Sequence, residues 1–594
     1  MSLTLGDLRR RFFGSLGNER GQCVSAMAPP SSMTQAEATA NADQPLLISG
    51  GPVHTADASG TTAEAIALAH GRILAVGSLT EVTARVGGTC RHIDLAGRCV
   101  VPGLIDGHAH MDREGLKTVW PSLAGLRSIR ELLERIAALA ASAAPGTWIV
   151  TMPLGDPPHY EGMPELLAEG RWPNRHDLDA AAPHNPVYIR PIWGYWRNKP
   201  PLISIANSLA LALAGIGPDT APPAPEVTIE KDERGEPTGV FIERTQMPIA
   251  ELTLLTRAPH FSRPQRVEAL ARSMRAYNEV GTTCVFEGHG VAPDTIAAYR
   301  ELAARKAASV RASRVFSPAW STCGREDVAQ MLRHWCQWLA GRGLGDHWLD
   351  VHGIFAEEGE APCCEPRAKA LPQTGWAGFC YDAALPRSAL RELLLEAARN
   401  KIRVANIWPN VVDLFAEVHR SIPIDDQRWV WGHISILDRE RFRQVRDLGL
   451  AVTTRTNRHI AKDGGRHLDR LGAAAADQIV PLRSLIEAGV PISFGSDNLP
   501  PTLFGPIHHA VMRRSEACGR IIAPAQSLTR QEALRCASFG GAQLCRREDE
   551  LGTLEPGKRA DLVVLPQDLM TMEADAIPAL RADITIVDGK IVHG

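Results

Sequence analysis

No apolar run in the sequence approaches the ~20 residues that a membrane-spanning helix needs, so a transmembrane segment is not expected. There is no Cys-x-x-Cys. The 12 cysteines are scattered singly, apart from the neighbours Cys363-Cys364, which argues against a zinc ribbon and against a disulfide scaffold. There is no strong charge of either sign, and a formal net charge of −3 gives no reason to expect a nucleic-acid partner. No glycine-rich phosphate loop opens a helix, no Gly-x-Ser-x-Gly elbow appears and no His-Glu-x-x-His occurs. Ser496 follows Gly495 but lacks the elbow's second glycine, so serine-hydrolase chemistry has no support.

What remains has the composition of a soluble globular protein, 44% hydrophobic and 22% charged. At 594 residues it can bury a large core and form more than one domain. Reduced cysteines and the lack of a membrane span make a cytoplasmic location the expectation. Arg9-Arg10-Arg11-Phe12-Phe13 resembles the start of a twin-arginine export signal, but the following Gly14 to Ala26 is polar where such a signal needs an apolar h-region. The span to residue 44 reads as a disordered tail.

The stretch that organises the chain is Val100-Val101-Pro102-Gly103-Leu104-Ile105-Asp106-Gly107-His108-Ala109-His110. Side chains at i and i+2 of a strand point the same way, so His108 and His110 share a face. Two neutral imidazoles projecting together are half of a metal site. A His-x-His alone is more often a pair of unliganded loop histidines; here it ends an apolar strand, where barrel enzymes place their chemistry. The run resembles the first barrel strand of the amidohydrolase superfamily of metal-dependent hydrolases, in the branch that includes the N-substituted formamide deformylases. The resemblance covers roughly residues 46 to 594, and it implies a TIM-like (β/α)8 barrel with a small β-sandwich domain formed by both chain ends.

The element pattern agrees with that α/β architecture. Short strands with glycine turns fill 45–98, and the same style returns over 548–594, closing in a hairpin around Asp588-Gly589. Between them, over 99–547, apolar runs alternate with helix-period segments at 127–143, 264–280, 387–400 and 438–448, the last with Asp438 as N-cap. An irregular, proline-rich insertion occupies about 187–245. The resemblance places it on the substrate side, where Tyr195, Trp196 and Arg197 are candidates to face substrate.

Other strand ends supply further candidates. Val490 to Phe494 leads to Asp497, and Trp429-Val430-Trp431-Gly432 leads to His433. The resemblance implies that Asp497 binds metal and exchanges a proton with the attacking water, and that His433 is the sixth-strand ligand. The middle of the site departs from the family pattern. The fourth strand, 349–359, has no lysine, and Asn406 stands where a fifth-strand histidine is expected. A neutral amide is a poor ligand beside imidazole and carboxylate, so Asn406 is assigned to substrate binding. Substitutes for the missing ligands are Glu287 and His289, predicted on one face at the end of the third strand, and His352 with Glu357 on the fourth. Each offers a metal ligand or a general base.

The expected function is hydrolysis of a non-peptide C–N bond in an amide, formamide, carbamate or cyclic amide. The expected cofactor is one or two divalent metal ions, zinc before manganese, iron or cobalt. A mononuclear amino-heterocycle deaminase of the same superfamily is the first alternative. A non-catalytic ligand-binding barrel is the alternative from another class. The expected partner is a small-molecule substrate, with neither nucleic acid nor membrane, and with a homodimer as the candidate assembly.

Overall fold

The apolar run that carries the histidines divides in two. Cys99–Pro102 pairs antiparallel with Leu562–Leu565 in a sheet built from both chain ends, whereas Leu104–Asp106 is the first barrel strand. The pattern had predicted one continuous barrel strand. Gly103 sits at the break because a Cβ there would lie 2.2 Å from Thr283 Oγ1, so only glycine lets the chain pass the second strand at this point. These observations come from a computed structural model that describes residues 44–594 except 158–159, 193–199, 246–247, 318–324 and 360–383. The expected tail and Tyr195, Trp196 and Arg197 lie outside the described residues.

The end-built sheet has eight strands. Seven run in the order Lys590–His593, Ile584–Val587, Leu562–Leu565, Cys99–Pro102, Leu46–His54, Thr62–Ala69 and Arg72–Gly77, and Arg91–Asp94 pairs with Leu46–His54. Ile48, Ile66, Leu562, Val564 and Ile586 form one of its cores, and the helix Leu79–Val86 covers Leu47, Ala65 and Ala67 through Val82. The closing hairpin turns at Asp588 and Gly589, with φ of 53° and 75°, the left-handed pair that a tight two-residue hairpin demands.

Eight parallel strands make the barrel: Leu104–Asp106, Thr282–Val291, Arg311–Phe316, Leu349–Phe355, Val404–Asn406, Val430–Trp431, Ala451–Thr454 and Ile492–Phe494. The last meets the first where Gly107 N–H donates to the Phe494 carbonyl at 2.8 Å. The strand bearing Glu287 and His289 is therefore the second, not the third. The true third strand, Arg311–Phe316, escapes a hydrophobic-run search because it carries two buried arginines. Arg311 forks onto Asp561 at 2.7 and 2.9 Å and reaches Asp588 at 3.1 Å, tying the barrel to the end-built sheet. Arg314 lies over the Tyr299 ring, 5.0 Å from its centroid.

Between the first and second barrel strands the chain builds a separate five-stranded sheet: Ile149–Thr151, Val187–Ile189, Leu202–Ala206, Val227–Lys231 and Pro237–Glu243. The helix Ile129–Ala141 shares an apolar core with this sheet, so the insertion begins well before residue 187. The other expected helices form as Arg263–Asn278, Arg387–Arg399 and Arg439–Asp447, and Asp438 caps the last through Arg441 N–H at 2.8 Å. Among the described residues no helix is long and apolar enough to cross a membrane.

Candidate active site

The strand ends converge at the C-terminal mouth of the barrel, the face where barrels of this kind do chemistry. The first and last strands are locked together just below it. The buried carboxylate of Asp106 accepts from His108 N–H at 3.1 Å, Ser496 N–H at 3.0 Å and Ser496 Oγ at 2.5 Å. Gly495 lets the strands touch, because a Cβ there would lie 2.5 Å from His108 Cβ. Asn498 holds the next residues in register: its Oδ1 accepts from His110 N–H at 3.0 Å, and its Nδ2 donates to the His110 carbonyl at 2.7 Å.

Above this lock, side-chain donors gather in two groups that share His108. His108, His110 and His289 form one and His108, His433 and Asp497 the other, with ligand atoms in each within 4.8 Å of one another. The His108 and His433 rings are 4.0 Å apart between centroids. Asp497 Oδ1 accepts from His110 Nε2 at 3.0 Å, and Oδ2 pairs with Arg455. His433 and Asp497 both hold φ near +60°, at 60° and 54°. That conformation costs a non-glycine residue roughly 1–3 kcal/mol and persists where surrounding structure enforces it, commonly at functional sites. A cavity of about 460 Å³ opens on Asp497, lined also by Arg455, Asn457, Arg458, Leu499 and Thr502.

Burial sets the protonation of this cluster. Burial, reinforced by neighbouring histidines or arginines, pushes His108, His289 and His433 well below the ordinary imidazole value and His110 down to about 4. All four are neutral at pH 7, the state in which imidazole binds a metal. Burial alone would raise Asp497, but the Arg455 guanidinium and the His110 hydrogen bond outweigh it and hold the carboxyl well below its usual range. The Nε2 atoms of His108 and His433 are buried without a hydrogen-bond partner. Two orphaned ring nitrogens beside an ionised carboxylate are what a divalent ion would satisfy, so the donor set fits one.

Several predicted residues serve other ends. Glu287 faces away from the donors: its carboxyl accepts from Met111 N–H at 2.8 Å and Tyr299 O–H at 2.7 Å, and only brushes His110 Nδ1 at 3.9 Å. Irregular pairing between Glu287 and Val291 breaks the period-two face that was to align it with His289. His352 has both ring nitrogens engaged, with Ser313 Oγ at 2.6 Å and Arg403 at 3.2 Å, in a buried polar layer away from the mouth. It is an interior histidine, not a ligand. Asn406 donates to the Ala356 carbonyl and accepts from Trp408 N–H at 2.6 Å, so both ends of its amide are held within the chain and tie the fourth and fifth strand ends together. Glu357 accepts from Trp408 Nε1 at 2.8 Å.

Asp106, Arg455 and Asn498 are site residues that the sequence reading did not single out. Asp106 lay within the organising run itself. Arg455 directly follows the strand Ala451–Thr454, a run whose apolar pattern could have revealed it.

Residues 91–593 match the amidohydrolase family. The chain is 27% identical over 587 residues to the N-substituted formamide deformylase of Arthrobacter pascens, covering 92% of this chain and 98% of that protein. It is 26% identical to LONG AFTER FAR-RED 3 of Arabidopsis thaliana, covering 88% and 87% respectively. An uncharacterized metal-dependent hydrolase from Pyrococcus furiosus superposes with a TM-score of 0.64 at 20% identity, covering 89% of this chain and all of that one, which establishes a shared fold.

Proposed function

Because this chain belongs to the amidohydrolase family, we propose that it hydrolyses a non-peptide C–N bond in an amide, formamide, carbamate or cyclic amide. The observation that carries this reading is the gathering of His108, His110 and His289, and of His108, His433 and Asp497, in two donor groups that share His108 at the barrel mouth. The donors are nitrogen and oxygen only, which suits zinc. A bound ion would supply Lewis acidity toward water and toward the substrate carbonyl.

The chain's own groups divide the work. Asp497, kept ionised by Arg455, accepts the proton of the attacking water and returns it to the leaving nitrogen. His433, neutral and with Nε2 directed into the buried site without a partner, either ligates the ion or donates to the oxygen that gains charge in the tetrahedral state. Asp106 and Asn498 fix the backbones on which His108, His110 and Asp497 ride.

The two donor groups share His108, and the fourth- and fifth-strand residues Glu357 and Asn406 are hydrogen-bonded to Trp408 and to the Ala356 carbonyl. This favours a single ion. A single-ion site also suits an amino-heterocycle deaminase, so product identity decides between the two. The test is metal per chain in the wild type and in Asp497→Ala, together with product analysis on a panel of N-substituted formamides, carbamates, cyclic amides and amino-heterocycles. About one equivalent of metal lost in Asp497→Ala, with release of amine and the matching acid by the wild type, supports the proposal. Ammonia from an amino-heterocycle alone would move the assignment to the deaminase. Equal metal content in the two proteins and no turnover would leave a binding barrel.

A further inference from the structure

A second group of donors lies outside the barrel mouth, at the seam where the two ends of the chain meet. His54 ends the strand Leu46–His54, Cys99 opens the strand Cys99–Pro102, and Asp568 follows the C-terminal strand Leu562–Leu565. One ligand atom from each lies within 4.8 Å of the other two. We propose that His54, Cys99 and Asp568 bind a second divalent metal ion, of the zinc or cobalt class, that staples the N-terminal and C-terminal strands together.

The geometry around each donor supports that role. His54 Nε2 lies 2.7 Å from Asp568 Oδ1, and its other ring nitrogen, Nδ1, lies 3.2 Å from Thr62 Oγ1. The carboxylate only accepts, so Nε2 carries the proton here; ligation moves it to Nδ1, where Thr62 Oγ1 can accept it and fix the ring, leaving the Nε2 lone pair for the ion. Cys99 Sγ now donates to the Gln567 carbonyl at 3.2 Å. Burial, with a smaller push from Asp568, raises the thiol to about 12. A bare thiolate is therefore disfavoured here, and ion binding proceeds with loss of the thiol proton to solvent as the sulfur–metal bond forms. His54 and Cys99 are buried, while the Asp568 side chain is 21% exposed, which gives an ion an entry side and a place for water as fourth ligand. Thiolate, imidazole and a single carboxylate select zinc or cobalt over magnesium or calcium. The barrel cluster contains no sulfur, so the two sites differ in spectroscopic signature.

The test uses the full-length chain, stripped by chelator and titrated with Co²⁺. A sulfur-to-cobalt charge-transfer band in the near ultraviolet is expected in the wild type and should vanish in Cys99→Ser, while the visible bands of the nitrogen–oxygen barrel site persist. Asp568→Asn, which keeps size and shape, should shift formation of the same band to higher Co²⁺, and it serves if Cys99→Ser fails to fold. Zn²⁺ should raise the Tm of the wild type more than that of Asp568→Asn. The proposal is overturned by a wild-type titration with no sulfur band. A band that survives Cys99→Ser would overturn it equally, by placing the sulfur ligand elsewhere in the chain.

Discussion

The backbone N–H of Asp497 donates to the carbonyl of His108 at 2.9 Å, so the last strand's carboxylate and the first strand's imidazole are set by each other's main chain. That tie is independent of the Asp497 side chain and survives its replacement. Asp497→Asn should therefore keep the site's backbone while lowering kcat by about 10²–10⁴-fold, the range expected for loss of a proton-transfer group. It should also destabilise the protein, because Arg455 is left largely buried without its carboxylate, at a cost of at least ~1–3 kcal/mol. Adding Arg455→Met to Asp497→Asn should recover much of the lost stability and none of the activity. Recovery of activity would sink the proton-transfer role.

His289 and His352 look alike in the sequence, each sitting within a barrel strand, and the structure separates them. His289→Ala should reduce metal retained after dialysis and raise KM or lower kcat, in addition to the stability cost of the cavity it leaves against Phe355. His352→Gln should leave metal content and kcat near wild type but lower stability by ~1–3 kcal/mol, because Ser313 and Arg403 lose a buried partner. Metal loss in His352→Gln would restore it to the site.

The contrast shows which parts of this protein can be read from residues alone. Strand ends bearing His108, His433 and Asp497 were legible because each polar residue closes an apolar run. The paired β-rich ends were legible from their glycine turns. The third barrel strand was not, since Arg311 and Arg314 are interior and paired with partners as distant as Asp561. The face of Glu287 was not, because period-two logic fails at an irregular pairing that only the fold reveals. The break at Gly103 depends on the approach of Thr283, a contact between residues far apart in sequence.

Away from the site, Glu243 gives a pH prediction. Burial, with Glu251 nearby, lifts its carboxyl from 4.5 to about 8, and Oε1 has no hydrogen-bond partner. Between those values the unfolded chain has released a proton that the folded chain keeps. Stability from this group is therefore full at low pH and falls as pH rises toward 8, by up to ~1.4 kcal/mol per unit. Glu243→Gln mimics the protonated form and removes that slope. Urea denaturation at pH 5 and pH 8 should show the variant gaining on wild type at the higher pH. Parallel behaviour at both values would mean that Glu243 is ionised in the folded protein.

Arg113 bears on how the site takes up metal. It lies 2.7 Å from His110 Nδ1 and, having only protons to offer, must donate to it. The remaining proton of neutral His110 is then on Nε2, which matches its 3.0 Å contact with Asp497. In this tautomer His110 presents no lone pair to the shared locus. Loading a metal through Nε2 requires the proton to move to Nδ1, facing a cation. Arg113 should thus oppose ligation by His110, and a side chain that can accept at the same place should favour it. Arg113→Gln, with its carbonyl oxygen turned to Nδ1–H, is expected to slow metal loss to a chelator and to raise affinity about tenfold or more, the scale on which groups behind a ligand act. Arg113→Lys keeps a donor and should leave affinity near wild type. Equal chelator kinetics in all three proteins would mean that His110 reaches the ion without a change of tautomer, or that it never binds one.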